Sequence, residues 1–226
     1  MLKSLSLVTV GATVMALGAI TQAEASQIIQ PQSASTDMGE SGSSILDNAI
    51  NQSGLSVGYT SGVTDFDDYL SGNPTQSFFD AWVGSSPAPG SVTFDLGNVF
   101  ALDGMAMWGT AGTLSAQDFD LFASLTGANG SFVSLGSFVQ DFEDGVDTAQ
   151  VFNFNTTTAQ FIRMDITDSY ISSNEAGIGE VAFRTADVTP EPVPEPMTIF
   201  GSATALGFGA LFNRKNSKKQ KNKDNN

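Results

Sequence analysis

The chain has 226 residues, 24 acidic and 9 basic, and carries a net charge of −15 with no cysteine and no histidine. That composition removes disulfides, thiol nucleophiles, Ser-His-Asp triads, His-ligated zinc and haem, leaving any chemistry to carboxylates, hydroxyls or an oxygen-bound hard metal. Between Ser26 and Pro190 only Arg163 and Arg184 oppose twenty acids, a balance of −18, which repels nucleic acid and suits divalent cations or plain solubility.

Lys3, the apolar run Leu5 to Ile20 and then Ala23-Glu24-Ala25 have the order of a secretory signal peptide, predicting removal of residues 1–25 at the small pair Ala23 and Ala25. Residues 26–44 are rich in Ser, Gln and Gly without periodicity and read as a flexible lead, with ordered structure expected from Ile45. About 165 residues separate the two hydrophobic ends, enough for one domain with a sizeable core.

The stretch from Asp47 to Leu70 sets aromatics among acids and reads as loops packed over the end of a sandwich. Within it Asp65, Asp67 and Asp68 either offer oxygens to a hard cation or form a solvated acidic loop anchored by Phe66 and Tyr69. Trp82, flanked by Phe78, Phe79 and Pro87-Ala88-Pro89, is either a sugar-stacking platform or a buried loop anchor.

From Ser91 the pattern is β, with short β-branched and aromatic runs set off by Gly, Asn and Asp. The predicted strands are Val92–Leu96, Met105–Trp108, Asp118–Ala123, Phe132–Val139, Gln150–Phe154, Phe161–Ile166 and Ile178–Phe183. Asp141 to Asp147 reads as an acidic hairpin turn; Phe152 stands where an EF-hand needs its bidentate glutamate. In Phe161–Ile166, Ile162, Met164 and Ile166 share the inward face while Arg163 and Asp165 share the other. Arg163 is thus placed to meet a glycan carboxylate or sulfate, or to pair with Asp165. No sustained helical period interrupts this pattern, so the predicted fold is all-β, an antiparallel β-sandwich.

A Pro-rich stem, 186–196, ends in Val193-Pro194-Glu195-Pro196. Residues 197–213 form a hydrophobic segment, uncharged from Met197 to Phe212 and, at about 1.5 Å per helical residue, marginal for a ~30 Å hydrocarbon core. Arg214 and Lys215 open a basic tail, 214–226, holding six of the nine basic residues, which the positive-inside rule keeps cytoplasmic.

Pro194-Glu195-Pro196, the apolar segment and the basic cluster, in that order, resemble the PEP-CTERM sorting signal of diderm bacteria. The resemblance implies an exosortase-like membrane enzyme as partner and transient residence in the inner membrane, followed by release to the cell surface or extracellular matrix. Between the ends, the order Trp82, Val92-Thr93-Phe94-Asp95-Leu96-Gly97, Trp108, Phe161-Ile162-Arg163-Met164 and Gly179-Glu180-Val181 resembles the discoidin (F5/8 type C) family with its galactose-binding-like jelly roll. The resemblance spans residues 45–185. It implies a non-enzymatic binding module for a glycan or lipid head group, with a structural Ca²⁺ between the first loops and the final strand. Glu180 matches the family's last-strand acid, and Asp47 is the nearest counterpart of its first-loop aspartate. The family's Asp-Gly-Asn-like turn is missing here, leaving Asp65, Asp67 and Asp68 as substitutes. The expected function is an exported module binding extracellular polysaccharide. The alternatives are a structural or adhesive matrix protein cross-linked by cations and, third, a glycan hydrolase, for which the abundant carboxylates single out no pair.

Overall fold

The computed structural model describes residues 25–86, 88–110, 114–141, 148–170 and 175–187, all within the compact unit Gln22–Val188. The signal-peptide reading, apart from Ala25, and the whole sorting tail lie outside the described residues. Among the described residues no helix is long and apolar enough to cross a membrane.

Nine strands are described: β1 (Ile28–Ile29), β2 (Ser33–Thr36), β3 (Trp82–Val83), β4 (Gly90–Trp108), β5 (Asp118–Ser124), β6 (Val133–Val139), β7 (Gln150–Ile166), β8 (Gly177–Ile178) and β9 (Glu180–Thr185). One short helix, α1 (Phe66–Ser71), and two 3₁₀ turns, Leu46–Ala49 and Phe78–Asp80, complete the set. The pairing is antiparallel throughout the main sheet, which runs β1-β9-β4-β7-β5-β6 with β2 also on β4.

Two long strands, β4 and β7, turn this one sheet into two layers. Ser91–Asp95 of β4 pair with Phe161–Asp165 of β7, and this half is flanked by β2 on one side and by β5, then β6, on the other. Gly104–Met107 of β4 pair with Gln150–Asn153 of β7 and, on the other edge, with β9, which carries β1. The halves face each other across the core: Phe94 in the first layer meets Phe183 of β9 with ring centroids 5.9 Å apart, and Phe119 of β5 meets Phe152 of β7 at 5.0 Å. Strands that switch sheets need local breaks, and β4 has register shifts between Asp95 and Phe100 and between Leu102 and Gly104.

The predicted inward face of β7 is observed, with Ile162, Met164 and Ile166 fully buried, and Val92, Phe94 and Leu96 fill the core as the period of two requires. The sequence reading divides β4 and β7 into two strands each. The structure keeps each continuous, because the interruptions at Gly97–Val99 and Asn155–Thr158 are crossings between layers rather than turns. The lead at 26–44 is corrected outright, since β1 and β2 lie inside it and both join the sheet. Paired as the outermost strands, they need little hydrophobic sequence beyond Ile28 and Ile29 to be held.

The first crossing depends on Gly97, at φ +76°, where an added Cβ would lie 2.1 Å from the Gln32 carboxamide carbon. Gly97→Ala therefore meets an unfavourable backbone region and a side chain in its path. We expect it to lose more than about 1 kcal/mol of unfolding free energy in urea titration; an unchanged midpoint would show that the crossing tolerates a side chain.

Candidate functional site

Residues alternate along β9 so that Val181 and Phe183 enter the main core while Glu180, Ala182 and Arg184 face the other way. That outer face is covered by a second cluster of Ile28, Tyr59, Phe66, Ala106, Trp108 and Ala182, with Leu55, Tyr69 and Leu70 packed against it. Asp65 caps α1 by accepting from the Asp68 N–H at 2.7 Å, which turns Phe66 inward and leaves Asp67 and Asp68 outside. Arg184 lies over the Phe66 ring at 5.4 Å and bonds the Asp103 carboxylate through Nε at 2.7 Å, with Asp67 at 3.8 Å.

Glu180 is 0% exposed, and is the one acid fully buried among the described residues. Its Oε2 accepts the Gln52 backbone N–H at 2.8 Å, joining the last strand to the first loop. Burial pushes its carboxyl up from 4.5 to about 8, against the lowering effect of that hydrogen bond, which favours the protonated form near neutral pH. The Tyr59 hydroxyl is also raised, first by burial and then by Glu180 and Tyr69. Around it, side-chain amides fix the loop. Gln52 donates to Gln30 Oε1 at 2.7 Å, and its own Oε1 accepts the Tyr59 N–H at 2.8 Å. Gln76 Nε2 donates to Ser53 O at 3.0 Å and Asp80 O at 2.8 Å.

The five acids expected at a cation site do not come together. Asp47 is exposed on the 3₁₀ turn Leu46–Ala49, Asp65 is spent on the helix cap, Asp67 and Asp68 are exposed on α1, and only Glu180 stands at the junction. No group of three or more acids able to hold a metal gathers among the described residues. Tested against the calcium that the resemblance implies, the donor set does not fit: the point where Ser53 O and Asp80 O converge is filled by the Gln76 amide nitrogen, whereas Ca²⁺ needs six to eight oxygens turned toward it.

Of the two residues expected to hold a ligand, Trp82 has no accessible ring and Arg163 is already paired. Trp82 is 0% exposed and its indole N–H donates to Gly39 O at 3.0 Å, so it anchors the loop, and its ring offers no face to a sugar. The accessible aromatic of that loop is Phe79, 85% exposed, three residues earlier. Arg163 pairs with Asp165 at 2.7 Å, as its position on β7 allows, and is sandwiched by Phe122 at 4.8 Å and Phe132 at 4.7 Å.

Sequence reasoning did not anticipate the concave surface. Two open clefts share Phe100 beside the β4 crossing, one of about 280 Å³ and one of about 220 Å³. The first is lined by Gln30, Gln32, Ser61 and Asn98 as its polar groups, the second by Gln27 and Thr185, and neither lining includes a charged side chain. The clefts gather residues from 25–32, 61–62, 96–101 and 185–186, a juxtaposition that only the crossing creates.

No family model and no curated protein matches the chain. Among solved structures, the chain is similar to the CBM32-1, CBM32-2 and M60 catalytic domains of Clostridium perfringens ZmpB, with a TM-score of 0.53 and 19% identity over 72% of this chain and 15% of that one. The CBM32-1 and CBM32-2 domains of ZmpB in complex with GalNAc give 0.51 and 19% over 70% of this chain and 35% of that one. Truncated AlyQ with CBM32 and alginate lyase domains gives 0.51 and 16% over 76% of this chain and 37% of that one. The chain spans well under half the length of each, and the likeness is one of fold.

The buried carboxyl has a measurable signature. In the unfolded chain Glu180 ionises near its ordinary 4.5; in the fold it keeps its proton to about 8, so the folded state holds the extra proton between these values and stability falls as pH rises. Relative to Glu180→Gln, which is neutral at every pH, the parent should lose stability from pH 5 to 8 by up to about 1.4 kcal/mol per unit. Parallel pH profiles in denaturant titration would mean that Glu180 is ionised in the fold.

Proposed function

We propose that this protein is a non-catalytic carbohydrate-binding module that takes uncharged sugar in the clefts beside Phe100. The supporting observation is their lining. In a segment with twenty acids and two cations, carboxamides, hydroxyls and a partly buried aromatic ring meet there without a charge. Amide and hydroxyl groups donate and accept at once, as sugar hydroxyls do, and concave sites of this kind combine apolar walls with a few polar groups. The solved structures of similar fold are named for CBM32 domains, one of them with GalNAc. A second reading rests on the exposure of Phe79, which would stack a sugar at the other loop cluster.

One experiment separates the two. Binding of the purified chain to a glycan panel and to the producing organism's own exopolysaccharide should weaken at least tenfold, about 1.4 kcal/mol, in Asn98→Ala combined with Gln32→Ala. Phe79→Ala should leave it unchanged. The reverse pattern moves the site to Phe79, and no binding by the parent to any glycan shifts the assignment to a structural or adhesive matrix protein.

The proposal includes the address. Export by the signal peptide and processing by an exosortase-like enzyme at Pro194-Glu195-Pro196 would leave the module at the cell surface or in the extracellular matrix of a diderm bacterium. Val193, Arg214 and Lys215 belong to the same signal. Replacing Pro194-Glu195-Pro196 by alanines should yield an unprocessed, membrane-retained protein by mass and fractionation; unchanged mass and location would remove the sorting assignment.

A further inference from the structure

The junction between the last strand and the first loops is where the discoidin resemblance puts a cation, and three of the oxygens found there already accept an N–H. Ser53 O and Asp80 O come from separate loops and converge on one group, the Gln76 amide nitrogen, at 3.0 and 2.8 Å. A third contact closes the same ring of loops, from the Gln52 N–H to Glu180 Oε2 at 2.8 Å. Gln76 itself is only 3% exposed, and its side chain lies so close under the last strand that a Cβ on Gly179 would be 2.8 Å from its Cγ.

We propose that the Gln76 carboxamide and the Gln52 backbone N–H replace a metal ion at this junction, so that the domain holds its loops without calcium. The point on which Ser53 O and Asp80 O converge is filled by the Gln76 amide nitrogen, so a cation could collect these two carbonyls only by displacing that side chain. Ca²⁺ beside one buried carboxylate would also leave uncompensated positive charge where Glu180 is 0% exposed, which burial penalises heavily.

The rest of the local accounting closes without an ion. The buried oxygens near this junction still lacking a partner are Ser53 Oγ, Tyr59 OH, Gln76 Oε1 and Glu180 Oε1. Two belong to hydroxyls, and the Glu180 carboxyl, whose protonated form burial favours, brings a third proton, so one bridging water can join these donors to Gln76 Oε1. Of the acids on the neighbouring elements, Asp65 is held on its helix cap, Asp67 and Asp103 face Arg184, and Asp80 gives the junction its backbone carbonyl. Tyr59 and Tyr69, the titratable groups packed against Glu180, are neutral phenols.

The test is thermal unfolding of the purified chain in millimolar Ca²⁺ and in EGTA. The proposal expects the two midpoints to agree within about 1 °C, because a ligand stabilises only where it binds the folded state. A rise of several degrees in Ca²⁺ that EGTA reverses would overturn it. Gln76→Met keeps the length of the side chain and removes its N–H groups. It should lower the midpoint by several degrees in both buffers, since two buried carbonyls lose their donor. A midpoint equal to the parent's would show that the carboxamide does not hold the loops and overturn the proposal as surely.

Discussion

Pairing between β4 and β7 is the constraint from which the rest of the architecture follows. Because each runs through both layers, their shared ladder, broken only at the two register shifts of β4, sets the register of β2, β5 and β6 on one side of the core and of β1 and β9 on the other. A one-residue slip in it would turn Val92, Phe94, Ile162 and Met164 out to solvent together. The crossing also shapes the two clefts. Where β4 leaves one layer for the other its neighbours part, and the residues bordering the gap line the clefts around Phe100.

Away from the crossing, rigidity comes from polar rather than apolar contacts. The first loop carries Gln52 at φ +64°, a backbone region that costs a non-glycine residue of order 1–3 kcal/mol and persists only where its surroundings over-determine it. Here they do. The Gln52 N–H goes to Glu180, its Oε1 to Tyr59 N–H and its Nε2 to Gln30, whose own amide bonds Ile50 O at 2.6 Å. Three of the four contacts are made by uncharged amides, and the fourth ends on a carboxyl that burial keeps protonated. A neutral network of this kind holds loops without the desolvation cost of a buried ion pair.

Much of the strand pattern was legible because a period of two reports burial directly. The alternations at 92–96, 118–123 and 161–166 placed the same side chains inward that the structure buries, and Arg163 met Asp165 as adjacent same-face positions must. The choice left open at Trp82 and the misread lead at 26–44 share a reason. Whether an aromatic in a loop faces in or out, and whether a polar segment is an edge strand, depends on partners far away in sequence. Trp82 is buried by Gly39 O, and β2 is ordered by β4. Local composition holds no trace of either. The clefts were beyond reach for the same reason, since four separate segments build them.

Charge connects the clefts to the rest of the surface. The two cations of the segment are both consumed: Arg163 by Asp165 and two aromatic rings, Arg184 by Asp103, Asp67 and Phe66. Both basic side chains among the described residues thus already hold acid partners. A balance of −18 further repels any polyanion at distances up to the Debye length, about 8 Å at physiological ionic strength. On the carbohydrate reading, then, selectivity for neutral sugar needs no dedicated specificity residue. The acidic surface repels anionic polymers by its field, while the uncharged clefts admit hydroxyls without having to displace a paired ion. Binding of this kind has little electrostatic steering, so its affinity would rest on hydrogen bonds and ring contact and change little with salt, unlike recognition built on arginine or lysine.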